Sequence, residues 1–192
     1  MLARHLKGIK IILGSQSPRR KELLSSLDIR FEVQVKEVDE VFPESLSNSQ
    51  IAEHLAALKA SVFSPLENEI VVTADTIVCL GTQILGKPKD KNEAINMLTD
   101  LSGKSHEVIT GVVLKSREKE ITFSDTTVVC FKELSNQEIE YYVAKYKPFD
   151  KAGAYGIQEW IGQIGITKIE GSYFNVMGLP THRVYDELLK FC

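Results

Sequence analysis

The stretch from Lys10 to Leu24, Lys-Ile-Ile-Leu-Gly-Ser-Gln-Ser-Pro-Arg-Arg-Lys-Glu-Leu-Leu, has few ways to fold. Its short apolar run at residues 11–13 reads as a buried strand. Gly14 and Ser15 end that strand. Ser17 ahead of Pro18 then marks a helix start, with Ser17 as N-cap and Pro18 at the first helical position. Leu23, Leu24 and Leu27 follow at helical spacing.

The charges at that helix start run against the local rule. Arg19 and Arg20 occupy the second and third helical positions, and Lys21 follows. A helix N-terminus carries partial positive charge, so each cation there forgoes the roughly 0.3–1 kcal/mol an acid contributes. An external polyanion offsets this, held by free N–H groups, two guanidinium forks and the hydroxyls of Ser15 and Ser17. On residues alone, the same stretch also reads as a solvated basic turn with Glu22 and Asp28 as partners.

The rest of the chain narrows the ligand. It has 192 residues, 43% hydrophobic and 26% charged, with a formal net charge of −3. That fits one globular domain over residues 1–192 and argues against a general nucleic-acid binder, which needs a basic face. A basic cluster in an acidic chain suits a small anionic ligand. Cys79, Cys130 and Cys192 form no Cys-x-x-Cys pair, so neither a zinc site nor a disulfide framework is indicated. Cys79 and Cys130 lie in apolar runs and read as core thiols. No apolar run approaches ~20 residues and no cleavable leader is visible, so no membrane span and a cytoplasmic location are expected.

The remaining elements alternate. Residues 31–35 read as a strand. Ser47-x-x-Gln50 opens a helix with Ile51, Leu55, Leu58 and Val62 as its buried stripe. An apolar strand runs over residues 69–80 and pairs as a hairpin with residues 84–85. Asp90 and Glu93 open another helix, closed by Gly103. Residues 106–115 and 121–131 read as an antiparallel hairpin. Ser135 and Glu138 open a helix with Ile139, Tyr142, Val143 and Tyr146 inward, and Pro180 starts the last one with Val184, Leu188 and Leu189 inward. Trp160 and Phe174 could stack on a base but read as core.

Several single residues invite chemistry. Asp75 sits mid-way along an apolar strand run, where an isolated carboxylate is costly. It must face a cation, a cleft or a strand break, as general base, metal ligand or turn residue. Asp39 and Glu40 are hard oxygen ligands of the kind Mg²⁺ or Mn²⁺ takes, or a solvated acidic loop. Lys59 lies near the end of its helix, where a surface lysine also suits the dipole. Lys87 is held between Gly86 and Pro88 and can act as a point charge on a phosphate. Gly153 and Gly156 permit close backbone approach, and the Gln158 amide, donor and acceptor at once, can read a pyrimidine edge.

Taken in order, Ser15-x-Ser17-Pro18-Arg19-Arg20, Ala74-Asp75-Thr76, Gly86-Lys87-Pro88, Ala152-Gly153-Ala154-Tyr155-Gly156-Ile157-Gln158 and Gly171-Ser172-Tyr173-x-Asn175-Val176-x-Gly178-Leu179-Pro180 resemble the signatures of the Maf family of nucleoside triphosphate pyrophosphatases. The resemblance runs from Ile11 to about Leu189. It implies an α/β fold like that of the inosine triphosphate pyrophosphatases, with a bent mixed sheet, flanking helices and two lobes around a cleft. It implies a hydrolase that takes dTTP and UTP to the monophosphate and pyrophosphate, with a divalent metal and in a homodimer. Asp75 would be catalytic. Ser15, Arg19, Arg20, Lys59 and Lys87 would bind phosphates, and Glu40 and Asp75 a metal. Arg19, Thr76 and Gln158 would set specificity. Two positions depart from the family: Gly14 where Ala is common, and Glu159 where Gly is common. A nucleotide-binding regulator of cell division without turnover, a pyrophosphatase acting on 7-methyl-GTP, and a nucleotidyltransferase are the competing readings.

Overall fold

A computed structural model describes residues 2–43 and 45–191, so Cys192 lies outside it. In chain order the elements are α1 (Leu2–His5), β1 (Lys10–Leu13), α2 (Pro18–Ser25), β2 (Phe31–Val33), α3 (Asn48–Ser61), β3 (Glu69–Leu80), β4 (Gln83–Leu85) and α4 (Lys91–Leu101). They continue with β5 (Ser105–Lys115), β6 (Glu120–Phe131), α5 (Asn136–Tyr146), a 3-10 turn at Ala152–Ala154, α6 (Trp160–Gly165), β7 (Ile166–Glu170), α7 (Tyr173–Met177) and α8 (Thr181–Phe191).

The strands form one seven-stranded mixed sheet in the order β2-β1-β3-β5-β6-β7, with β4 on β3. β1 runs parallel to both neighbours, Ile11 lying opposite Phe31 and Ile70. β3–β4 and β6–β7 are antiparallel. Between β5 and β6 the link is a tight turn closed by Ser116 N–H on the Lys119 carbonyl at 2.8 Å, too short for a parallel crossover. The mixed α/β class and the antiparallel middle hairpin are therefore as expected.

The chain divides into two compact units. The first takes the chain through Asp75, then Thr110–Asp125 and the residues from Gly178 onward. Its core is apolar β1 and β3, with Ile12, Val71 and Phe63 packed together. α3 lies on this core by a face of Ile51, Ala52, Leu55, Ala56 and Ala60. The stripe expected through Leu58 and Val62 is only half-buried. The reason is close approach: a Cβ on Gly111 of β5 would stand 2.2 Å from the Ala52 carbonyl oxygen, so α3 lies hard against the sheet on its Ala52 side. β2 is also shorter than expected, with Val33 and Val35 exposed at its end. At the last helix the Pro180 carbonyl accepts from Val184 N–H at 3.0 Å, and Val184 and Leu188 are buried while Leu189 is half-buried.

The second unit takes Thr76–Ile109 and Thr126–Met177. α4 and α5 pack together, burying Leu98, Leu101, Ile139, Tyr142 and Val143. Both helices are capped as their sequences predict, by Asp90 and by the Ser135–Glu138 box. Cys79 is a core thiol, pushed up to about 11 by burial. Cys130 is not: it is half-buried, with the Ser105 hydroxyl 3.1 Å away. Trp160 and Phe174 are not core either. Trp160 packs edge-on against Tyr141 at half exposure, and Phe174 is 48% exposed on α7, a helix too short to bury two of its faces. Tyr146, expected inward, is half-buried and stacks on Tyr142.

Candidate active site

In the first unit, β3 and α3 bring three charged groups together. Alternate residues of β3 face α3: the Thr73 hydroxyl donates to the Ala56 carbonyl at 2.8 Å, and two residues on, Asp75 meets Lys59. A helix step of three residues (~4.5 Å) and a strand step of two (~6.6 Å) are close enough for both contacts to form. Asp75 is 8% exposed, and β3 is continuous through it, so it is a strand residue and not a turn. Its Oδ1 accepts from the Lys59 ammonium, and the same ammonium lies 3.0 Å from Glu40 Oε1. The buried carboxylate has found a cation, and the loop after β2 has brought a second carboxylate to it.

The strand–loop–helix stretch stands in the same unit. Ser17 caps α2, accepting from Arg20 N–H at 3.4 Å, and Ser17 N–H donates to Ser15 Oγ at 3.2 Å. No acid occupies the first turn of α2. Arg20 Nε donates to the Gly178 carbonyl at 2.9 Å, which ties α2 to the segment entering α8. Burial lowers the Arg20 pKa, while Asp75 and then Glu40 pull it up and Arg19 pushes it down. Arg20 thus shares a field with both carboxylates. Ser15, Arg19, Arg20, Glu40, Lys59 and Asp75 all belong to this unit.

Thr76, Lys87 and Gln158 belong to the second unit. Lys87 is exposed between Gly86 and buried Pro88, and the Gly86 carbonyl accepts from Gly153 N–H at 3.1 Å. Gly153 and Ala154 both adopt left-handed φ, 68° and 59°, and a Cβ on Gly153 would crowd Val78 at 3.0 Å. The segment does not enter a strand as a plain loop would. It makes the 3-10 turn and then α6. Gln158 is half-buried, and its Oε1 is buried without a hydrogen-bond partner among the described residues.

A family model described as Maf-like protein matches residues 10–191. The chain belongs to the Maf-like family. A Maf-like relative from Flavobacterium psychrophilum, named dTTP/UTP pyrophosphatase, is 53% identical over 191 residues and covers 98% of each chain. One of the same name from Porphyromonas gingivalis is 49% identical over 192 residues, 97% of this chain and 96% of that one. Among solved structures, a HAM1 protein from Coxiella burnetii matches the Maf-like fold with a TM-score of 0.52 at 14% identity, covering 95% of this chain and 99% of that one.

The donor set of this Maf-like chain sets what metal it could hold. Among the described residues no three His, Cys, Asp or Glu side chains gather as a closed site. Glu40 and Asp75 converge on one ammonium. Two carboxylates suit Mg²⁺-type binding, in which substrate oxygens and water complete the shell. Two partners escaped the sequence. The Arg20–Gly178 contact spans 158 positions and leaves no local signal. Lys151, buried beside Glu159, lies inside a recognised motif but gave no sign of its partner.

Proposed function

We propose that this Maf-like chain hydrolyses nucleoside triphosphates, dTTP and UTP foremost, to the monophosphate and pyrophosphate, clearing unwanted nucleotides from the pool in the cytoplasm. The observation that carries the reading is identity of about half over nearly full length with relatives named dTTP/UTP pyrophosphatase. The Lys59–Asp75–Glu40 cluster in one unit with the cationic start of α2 supports it chemically.

The triphosphate carries about four negative charges that must be offset before a nucleophile can approach. Ser15, Arg19 and Arg20 bind phosphate oxygens at the start of α2, with Lys59 and Lys87 as further cations. Lys59, held by Asp75 and Glu40, keeps its ammonium fixed in place. Glu40, together with Asp75 in the alternative where Asp75 is not the base, would hold a divalent ion, Mg²⁺ or Mn²⁺, which would supply charge stabilisation. Asp75 accepts a proton from the attacking water or orients it. Arg19, Thr76 and Gln158 select the base, Gln158 through its amide. The whole chain acts as one pyrophosphatase module and works as a homodimer.

The test is pyrophosphate release from dTTP, UTP, CTP, GTP, 7-methyl-GTP and ATP, with Mg²⁺, with Mn²⁺ and with chelator. Metal-dependent release from dTTP and UTP is expected. Preference for 7-methyl-GTP would move the base specificity. Binding without release would favour a regulatory role, including one in septum formation.

A further inference from the structure

We propose that Glu159 and Tyr142 are positioning residues that set base selection by holding Gln158. The inference rests on the nucleotide reading above. Residues 151–159 form a loop tied at both ends: the Lys151 ammonium lies 3.1 Å from Glu159 Oε1, with Asp150 Oδ1 at 2.8 Å as its other partner. Glu159 Oε2 accepts from the Tyr142 hydroxyl, and that hydroxyl accepts from Gly156 N–H at 3.1 Å. One phenol therefore pins the loop both at its middle and at its end. Tyr142 is itself fully buried on α5, so the pin is anchored in a core. Burial first, and the bond to Glu159 second, raise its phenol pKa, so it remains a donor.

Gln158 sits between the two tethers. Its neighbours on either side cannot move freely: a Cβ on Gly156 would stand 2.9 Å from Glu159 Cδ, so the carboxylate lies directly over the Gly156 backbone. Gln158 Oε1 is left buried and without a partner among the described residues. An unpaired buried acceptor is costly, and a side chain on a loose backbone would turn it to water. Gln158 as a whole is half-buried, so its amide meets a base by a turn of the side chain, and the tethered backbone fixes where that turn delivers an acceptor for a ring N–H. Uracil and thymine carry such a donor at N3, and neutral cytosine does not.

The experiment compares the full chain with Tyr142→Phe, Glu159→Gln and Glu159→Ala, reading kcat and KM for dTTP and CTP alongside thermal melts. Tyr142→Phe keeps the ring and removes only the hydroxyl, so it guards against misfolding. The dTTP-over-CTP ratio of kcat/KM should fall about tenfold in Tyr142→Phe and Glu159→Ala, the scale of one weakened polar contact. The loss should be carried chiefly by the dTTP KM. Glu159→Gln, which can still accept from Tyr142, should retain more of the ratio than Glu159→Ala. Parallel losses for both nucleotides with the ratio intact would mark a merely structural role and overturn the inference alone. A wild type that releases no pyrophosphate from either nucleotide overturns the functional reading and this inference with it.

Discussion

The Lys59 ammonium donates to Asp75 Oδ1 and lies 3.0 Å from Glu40 Oε1, so one cation from α3 holds two carboxylates from different parts of the first unit. The arrangement makes the three residues unequal in what their loss does. Asp75→Asn keeps the shape and leaves Lys59 paired with Glu40. The fold should persist by circular dichroism, and turnover of dTTP should fall by about 10²–10⁴, the range of a lost general base. Near-wild-type turnover would remove Asp75 from the chemistry.

Lys59→Met takes from buried Asp75 the ammonium that donates to it and leaves it the field of the Arg20 guanidinium. Breaking a buried pair from one side costs about 3–5 kcal/mol, so this variant should be clearly less stable than Asp75→Asn by urea unfolding at neutral pH. Equal stabilities for the two variants would mean the pair is not buried as described.

His106 gives a pH dependence with a definite sign. It is buried in the second unit, its Nε2 2.7 Å from the Tyr155 hydroxyl and its ring stacked on Phe131. Burial lowers its pKa to about 4 from 6.5. Between those values the unfolded chain binds the proton and the folded chain does not, so this contribution is complete above pH 6.5 and is lost as pH falls toward 4. The span corresponds to a loss on the order of 3 kcal/mol. His106→Gln, which keeps a partner for Tyr155, should flatten that slope in urea melts taken from pH 7 to pH 4.

Gly14→Ala should destabilise this chain. A Cβ there would stand 2.8 Å from Thr73 Cγ2 and 3.1 Å from Phe63, and Thr73 cannot swing away while its hydroxyl donates to Ala56. Overpacking of this kind costs about 1–3 kcal/mol, visible as a lower midpoint in urea. Thr73 and Phe63 thus cover the Gly14 backbone closely.

Gln158→Glu keeps an acceptor for the ring N–H but removes the amide donor that a thymine or uracil carbonyl takes, and sets a negative charge against that carbonyl. It should weaken dTTP and UTP turnover more than that of other nucleotides, measured as kcat/KM across the panel. Uniform loss would argue against base reading at this position.

What the sequence made legible follows from how local each signal is. Ser17, Pro18 and the short apolar run predicted β1 and α2, because capping and periodicity act within a few residues. The capping box at Ser135 and the Asp90 cap formed for the same reason, although the Glu93 carboxylate turns to Lys89 N–H and does not complete a box at Asp90. Asp75 announced that it needed a partner but not which one, since Lys59 lies on another element. The face of α3 differs from the spacing because its alanines meet residues far along the chain, Ala52 against Gly111 and Ala56 and Ala60 with Val113, whereas hydrophobic spacing favours the larger Leu58. Phe174 was misplaced because an aromatic residue reads as core unless the short helix carrying it is seen. Glu159 looked like a minor departure until its bonds to Tyr142 and Lys151 were visible.

The most direct measurement is product identification from dTTP by phosphorus NMR with purified wild-type chain and Mg²⁺ or Mn²⁺. The account predicts dTMP and pyrophosphate in equal amounts, with no orthophosphate at early times. Thymidine diphosphate with orthophosphate, or bound dTTP that stays intact, would contradict it.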